Sequence, residues 1–226
     1  MRAATPRAIS TIMLRLKTFE FNPFGEVTVV LYDDVSRHAI VVDPGMLFDS
    51  ERRVFDDFIA SEHLQLLKLL HTHLHLDHCF GSAYLRAKYG APVCASAADA
   101  ELGLSLGEQC RRFGLPGHFE PLAIDTALTD GDIIAVADTR LEVIAVPGHS
   151  PGGLAYYCAD YGFVISGDCL FGGSIGRTDL PGGDYATLVD SIRCRLLTLP
   201  DETLVVAGHG NATNIGAEKE YNPYLR

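Results

Sequence analysis

Four of the chain's nine histidines lie in one short segment, HTHLHLDH at 71–78, together with an aspartate. Imidazole and carboxylate groups are ligands for zinc, iron and manganese, and neutral imidazoles have little reason to cluster unless a cation organises them. In an extended segment, side chains two positions apart lie on the same side, so His73 and His75 can reach one ion. Asp77 and His78 follow after the chain begins to turn, and they can face a second ion. The segment therefore has the composition of a metal site.

Three further potential ligands stand at the ends of later predicted strands. His149 follows LEVIAV in VPGHSPGG, Asp168 follows GFVIS in SGDCLF, and His209 follows TLVVA in AGHG. Each alone is a weak signal, because Gly-His and Gly-Asp turns are common and aspartate is frequent in turns. Three such strand ends in one chain, all after the first cluster, supply enough ligands for two metal ions. His71 ends an apolar run, and we interpret it as a packing residue or as a support for the ligands.

Strands and helices in both halves of the sequence can position these residues. Short β patterns such as LRLKTFEF, EVTVVLYDD and HAIVV precede a helix predicted over 49–62. The face of this helix that we expect to be buried contains Val54, Phe55, Phe58 and Ile59. The run LQLLKLL leads into the histidine cluster and is typical of a strand covered on both faces. More strands and a helix over 184–197 follow, without a Ser-, Pro- or Gly-rich linker, which predicts one α/β domain over 13–226 with two sheets inside and helices outside.

Composition and charge limit the partners and the compartment. The net charge of −11 argues against nucleic acid as a partner, because phosphate binding needs clustered Lys and Arg. No apolar run approaches the roughly 20 residues that a membrane span requires. Six scattered cysteines without a C-x-x-C pair favour free thiols in a reducing compartment, and hence a cytoplasmic location. Residues 1–12 are predicted to be a disordered tail, with an organellar targeting segment as the alternative.

The ligand motifs resemble those of the metallo-β-lactamase-fold hydrolase superfamily. The resemblance rests on THLHLDH at 72–78, PGHSPG at 147–152, GD at 167–168 and GH at 208–209, in that order, and it covers the chain from about Leu14 onward. It implies a four-layer αββα sandwich and two divalent metal ions, for which zinc is favoured and iron and manganese are alternatives. Two such ions lower the pKa of a bridging water from about 15.7 to about 7, which makes a hydroxide nucleophile available at neutral pH.

The resemblance also assigns a role to each potential ligand. The first metal is implied to bind His73, His75 and His149. The second metal is implied to bind Asp77, His78 and His209. Asp168 is implied to bridge the two ions. Asp77 and Asp168 are therefore the predicted catalytic carboxylates, and Asp77 can accept a proton where the second metal is poorly occupied.

Two further residues are candidates for supporting roles. Asp43, in VVDPG at another strand end, is a candidate for orienting a ligand histidine, with a plain Asp-Pro turn as the alternative. Arg177 is the best candidate among the basic residues near the predicted site for binding a substrate carboxylate. Its alternative is a structural ion pair with Asp179 or a bond to a loop carbonyl.

Within the superfamily, the chain resembles the glyoxalase II (hydroxyacylglutathione hydrolase) group in a short form. The segment GDCLFGGSIGRTD at 167–179 looks like the loop that follows the bridging aspartate in that group. The resemblance implies hydrolysis of a small glutathione-type thioester. This reaction needs no dedicated general acid, because a thiol leaving group has a pKa of about 8.5. The chain departs from the group in having room for only about one helix after His209, where full-length members carry a helical region that supplies much of the glutathione site.

Other functions compete with thioester hydrolysis. Persulfide dioxygenases resemble the chain in the same motifs and hold one iron, which would here bind His73, His149 and Asp168. A non-catalytic scaffold would use the fold to bind a partner. The ligands of the second metal are nevertheless all present in the sequence, which favours hydrolysis over both. Hydrolysis of β-lactams is disfavoured, because an amide nitrogen must be protonated to leave and the sequence marks no proton donor.

Overall fold

Two six-stranded sheets form the centre of the fold in the computed structural model, which describes residues 13–226. In spatial order, the first sheet contains β1 (Leu14–Phe21), β2 (Glu26–Asp33), β3 (His38–Val42), β4 (Gln65–Leu70), β5 (Val93–Ala95) and β6 (Thr126–Ala127). In spatial order, the second contains β14 (Thr213–Asn214), β13 (Leu204–Ala207), β10 (Phe163–Gly167), β9 (Leu154–Cys158), β8 (Thr139–Ala145) and β7 (Ile133–Val136). Strands β11 (Leu170–Phe171) and β12 (Ser174–Ile175) pair separately. The tail predicted for residues 1–12 lies outside the described residues.

Six short helices accompany the sheets. They are α1 (Asp49–Ser61), α2 (Ser82–Tyr89), α3 (Ala100–Leu104), α4 (Leu106–Arg112), α5 (Tyr185–Ser191) and α6 (Ile215–Tyr221). The 3₁₀ turns are Leu76–His78, Ala97–Asp99 and Ala159–Tyr161, and a π-helical turn, Ile192–Leu196, continues α5. Among residues 13–226, no helix has the length and apolar character that crossing a membrane requires.

The core is divided into three apolar layers, which confirms the predicted αββα sandwich. One layer lies between the two sheets and contains Leu31 of β2 and Ile165 of β10. A second packs the first sheet against α1, α2 and α4, with Val30 of β2 on that side. A third packs the second sheet against α5, with Val164 of β10 on that side. Because successive side chains of a strand point to opposite faces, a strand buried on both faces is a continuous apolar run, as in AIVV of β3.

Helix α1 matches its predicted range but not its whole predicted face. Phe55 and Ile59 are buried, whereas Val54 is 53% exposed, so its predicted burial is wrong. Neighbouring residues in a helix are rotated by about 100° from each other, and Val54 therefore turns away from the sheet when Phe55 faces it. The edge strand β7 was not expected from the sequence, because half of its short IIAV segment is exposed.

The direction of the strands brings the predicted ligands to one edge of the sandwich. In the first sheet, β3 and β4 are parallel, so Asp43 and the histidine segment leave at the same end. In the second sheet, β10 and β13 are parallel, and β8 runs in their direction because β9 is antiparallel to both β8 and β10. The residues that follow β8, β10 and β13 are the ones that carry His149, Asp168 and His209.

Candidate metal centre

The histidine segment leaves β4 as an irregular stretch and closes in a 3₁₀ turn at Leu76–His78. The rings of His73 and His75 lie 4.7 Å apart between centroids, on the same side as predicted. His71 turns elsewhere, with its Nε2 atom 3.2 Å from the hydroxyl of Ser82. Burial lowers the pKa of His71 to about 4, so this imidazole is neutral and packs behind the segment.

The first donor set consists of three buried imidazoles whose nitrogens converge. His149 Nε2 lies 2.9 Å from His75 Nδ1 and 3.2 Å from His73 Nε2. Burial lowers the pKa of His75 to about 3 and that of His73 well below its usual value, so both rings are neutral. Three buried imidazoles that direct nitrogens at one point have the arrangement of ligands around a cation.

The second donor set combines two imidazoles with the carboxylate of Asp77. His209 Nε2 lies 3.2 Å from Asp77 Oδ2, and His78 Nε2 lies 3.7 Å from the same oxygen. These three side chains provide ligand atoms that all lie within 4.8 Å of one another, as do those of the first set.

Asp168 lies between the two donor sets. Its Oδ1 atom is 3.3 Å from His78 Nε2, while Oδ2 is 3.5 Å from His209 Nε2 and 3.6 Å from His149 Nε2. One carboxylate thus contacts both groups of imidazoles. This is the position that the sequence assigned to a bridging ligand, and the two donor sets fit a site for two divalent metal ions.

Two features of the second set favour a cation there. Among the described residues, His78 Nε2 and Asp168 Oδ1 are buried without a hydrogen-bond partner, and unpaired buried polar atoms are costly. Burial lowers the pKa of His209, but the Asp168 and Asp77 carboxylates outweigh it and raise this pKa to about 10. The pocket therefore attracts positive charge, and a divalent ion supplies more of it than a proton.

Oxygen atoms behind the ligands fix which imidazole nitrogen faces the centre. His149 Nδ1 donates to the Arg177 carbonyl at 2.7 Å, and His209 Nδ1 donates to the Phe24 carbonyl at 3.0 Å. Each bond directs Nε2 toward the donor sets, as is usual for histidines that bind metals. Backbone carbonyls carry no sequence signature, so these partners were not foreseen.

Asp43 lies where an orienting residue is needed. Its Oδ2 atom is 3.1 Å from His78 Nδ1, and its two oxygens accept hydrogen bonds of 2.7 and 2.6 Å from the Thr72 amide and hydroxyl. The carboxylate thus joins the end of β3 to the start of the histidine segment. This placement agrees with the orienting role, which remains a prediction along with the ligand roles.

Arg177 has a different environment from the one that substrate binding needs. Its guanidinium donates two hydrogen bonds of 2.7 Å to Asp179, which is the alternative that the sequence allowed. The side chain is exposed and borders the cleft above the donor sets. Contact with a substrate carboxylate remains a prediction, and it would require Arg177 to share or exchange this partner.

Asp99, which was not among the residues predicted from the sequence, joins the two halves of the first donor set. The carboxylate accepts hydrogen bonds from the Leu74 amide at 3.1 Å, the Ser150 hydroxyl at 2.8 Å and the Gly152 amide at 2.6 Å. Leu74 lies between His73 and His75, and Ser150 follows His149. An aspartate just before a helix is ordinarily interpreted as an N-terminal cap, so no signal in the sequence marked this role.

Replacing Asp99 by asparagine should weaken metal binding at the first donor set by about 10- to 100-fold. The amide NH₂ group replaces one acceptor oxygen and faces N–H or O–H donors, which loosens the segment that carries His73 and His75. Competition with a chromophoric chelator measures the affinity of each site. Asp160→Asn, at an exposed position, is the matched control. Unchanged affinity in the Asp99 variant would contradict the role.

The donor sets open into a cleft of about 190 Å³. Besides the ligands, its walls are formed by Phe24, Leu76, Phe113, Arg177 and Leu180. Among the described residues, this lining includes no serine, threonine, cysteine, lysine or tyrosine side chain. The cleft therefore presents potential metal ligands on a mainly apolar background.

Comparison with known proteins finds relatives that cover almost the whole chain. Residues 22–209 match the family described as the metallo-β-lactamase superfamily. A Haemophilus influenzae protein named hydroxyacylglutathione hydrolase GloC is 37% identical over 219 residues, covering 94% of this chain and 98% of that protein. The crystal structure of the BLEG-1 B3 metallo-β-lactamase is 34% identical with a TM-score of 0.84, covering 93% of this chain and 99% of that one.

A second solved structure bears on the metal. TTHA1623 in a di-iron-bound form is 33% identical with a TM-score of 0.81, covering 92% of this chain and all (100%) of that one. The two donor sets, with Asp168 in contact with both, and the family match from residue 22 to residue 209 lead to one conclusion. The chain belongs to the metallo-β-lactamase superfamily, and it is a metal-dependent hydrolase.

Proposed function

We propose that the protein hydrolyses small thioesters of the glutathione type, using two divalent metal ions held by the two donor sets. The observation that carries the proposal is a pair of donor sets, both in contact with Asp168, at a cleft whose lining among residues 13–226 contains no other nucleophile. Bound metal ions supply a hydroxide from water at neutral pH and polarise the thioester carbonyl. Zinc is the proposed metal, with iron and manganese as alternatives that the same ligands accept.

The nucleophile in this proposal is water rather than a side chain. Cys79 and Cys169 follow potential ligands in the sequence, but both are buried, and burial raises the pKa of each thiol above its usual value. A protonated, buried thiol is a poor nucleophile. Asp77 lies at the cleft, and where the second metal ion is absent we assign to it the role of accepting a proton from the attacking water.

The ionised carboxylates of the site favour a thioester substrate over an amide, because they have no proton to give to the leaving group. Burial opposes the ionisation of Asp77 and Asp168, but the neighbouring His78 and His209 together outweigh it and lower the pKa of both. These carboxylates are ionised at neutral pH and do not protonate a departing nitrogen. A thiol, with a pKa of about 8.5, leaves with little protonation.

The relatives support two candidate substrates for this protein, a thioester and a β-lactam. The Haemophilus influenzae relative is named for hydrolysis of hydroxyacylglutathione, which supports a small-molecule thioester as substrate. The BLEG-1 structure is titled a B3 metallo-β-lactamase, so β-lactam hydrolysis is the second candidate. A one-iron oxygenase would need only His73, His149 and Asp168, and the complete second set favours the hydrolase instead.

One set of measurements tests the proposal. We expect plasma mass spectrometry of protein purified without added metal to find about two metal ions per chain. The same sample should hydrolyse S-lactoylglutathione, lose the activity on chelation and regain it with zinc. One iron per chain, with oxygen uptake on glutathione persulfide and no thioester cleavage, would replace the proposal by the oxygenase. Faster turnover of a chromogenic cephalosporin than of any thioester would replace it by the lactamase.

A further inference from the structure

A cavity of about 360 Å³ adjoins the candidate metal centre on the side of His75. It shares three wall residues with the cleft, namely His75, Phe113 and Leu180. A substrate whose reacting carbonyl lies at the donor sets therefore has this cavity next to it. Of the two arms of a thioester, the acyl group and the thiol carrier, one can extend into it.

The walls of the cavity are apolar where they face its interior. Leu102 of α3, Phe113 after α4, and Leu180 and Pro181 of the loop after β12 supply carbon surface. Two of the polar side chains between them, Ser105 and Gln109, are already bonded within the protein, and the Ser105 hydroxyl donates to the Leu102 carbonyl at 3.1 Å. Gln109 accepts a hydrogen bond from the Leu76 amide and donates to the carbonyls of Leu74 and Leu102. The cavity thus offers contact to carbon chains and few free hydrogen-bonding groups.

The charged residues at the cavity disfavour an anion. Glu101 and Glu108 line it together with a single cation, Arg112. Arg112 Nε is paired with Glu108 at 3.0 Å, and Arg111 is paired with the same carboxylate at 2.6 Å. Glu108 is thereby neutralised, and a carboxylate placed here would lie beside Glu101 and a cation that already has a partner. Glutathione carries carboxylates, so the thiol carrier is the less suitable occupant.

Two exposed aromatic rings form the rim between the cavity and the cleft. Phe24 and Phe113 are 36% and 42% exposed, and their ring centroids lie 5.9 Å apart in an edge-to-face arrangement. Both rings border the cleft, and Phe113 also borders the cavity. An acyl chain that passes this rim would cover apolar surface that is otherwise in contact with water.

We infer that this cavity is the acyl-binding subsite and that it selects uncharged, apolar acyl groups of several carbons. The inference rests on the proposed thioesterase function and adds the substrate class to it. Each methylene buried there should raise kcat/KM by about fourfold, so a hexanoyl thioester, with four more methylenes than an acetyl thioester, should exceed it by roughly 250-fold. A terminal carboxylate on a chain of the same length should remove this gain.

The test uses the metal-loaded protein and glutathione thioesters with acetyl, butyryl, hexanoyl and adipoyl groups. We expect kcat/KM to rise from acetyl to hexanoyl and to fall back for adipoyl. Leu102→Ala and Leu180→Ala should each lower the hexanoyl-to-acetyl ratio several-fold. Leu104→Ala is the matched control, because Leu104 lies on the same short helix as Leu102 but is 51% exposed and outside the cavity. The ratio compares two substrates on one sample, so partial unfolding of a variant does not change it.

Failure of the subsite and failure of the thioesterase give different results. Equal kcat/KM from acetyl to hexanoyl, or an adipoyl thioester as good as the hexanoyl one, would overturn the subsite while leaving the thioesterase in place. The same holds if both cavity variants keep the ratio of the Leu104 control. No turnover of any thioester by protein that holds two metal ions would overturn the proposed function, and the subsite with it.

Discussion

Replacing Asp168 by asparagine is expected to lower kcat/KM for thioester hydrolysis by roughly 10³-fold or more, which corresponds to about 4 kcal/mol of lost transition-state stabilisation. Asp168 contacts both donor sets, with its oxygens 3.3 to 3.6 Å from His78, His149 and His209. The amide keeps the shape of the side chain but not its negative charge. Metal content should fall from about two ions per chain toward one, because both sets lose a shared ligand.

The measurement combines metal analysis with steady-state kinetics on one preparation. Asp138→Asn is the matched control, because Asp138 is exposed and lies on the turn between β7 and β8, away from the cleft. This control should keep both metal ions and the wild-type rate. If the Asp168 variant also keeps two ions and most of its activity, Asp168 does not bridge the metals, and the arrangement of the two sets must be revised.

The donor residues were predictable because two independent patterns converge on them. Four histidines in a short segment are a local signal, and ligands at the ends of three strands are a topological one. Because β10 and β13 are parallel, the residues that follow these strands, Asp168 and His209, lie close together at the same edge of the sheet. The fold followed from the same patterns, because strands buried on both faces appear as continuous apolar runs.

The supporting contacts were less predictable, for a physical reason. His149 and His209 are oriented by the carbonyls of Arg177 and Phe24, and any residue type provides a carbonyl. Asp99 acts through bonds to a distant loop, which only the folded chain brings near. Local sequence specifies ligand type and strand register, whereas these partners depend on how separate loops pack together.

Glycine at position 208 shows how closely the backbone approaches the metal ligands. A Cβ atom there would lie 2.3 Å from Asp168 Oδ1 and 2.8 Å from His78 Cε1, both too short for contact. The amide of Gly208 also donates to the Gly167 carbonyl at 2.8 Å, and its carbonyl accepts a hydrogen bond of 2.8 Å from the Val27 amide. These bonds hold the segment in place, so the ligands rather than the backbone must move to admit a methyl group.

Gly208→Ala is therefore expected to lower kcat/KM by roughly 10²-fold or more, because a displacement of about 1 Å at a catalytic group is enough for such a loss. Overpacking should also cost about 1–3 kcal/mol of stability. Thermal unfolding, metal analysis and kinetics together separate the two effects. Gly172→Ala is the control in the loop after Asp168, since its Cβ would meet only Thr213 at an ordinary 3.7 Å. A Gly208 variant with two metal ions and normal kinetics would show that Asp168 and His78 have room to shift, and that the close approach at this position is not needed for the site.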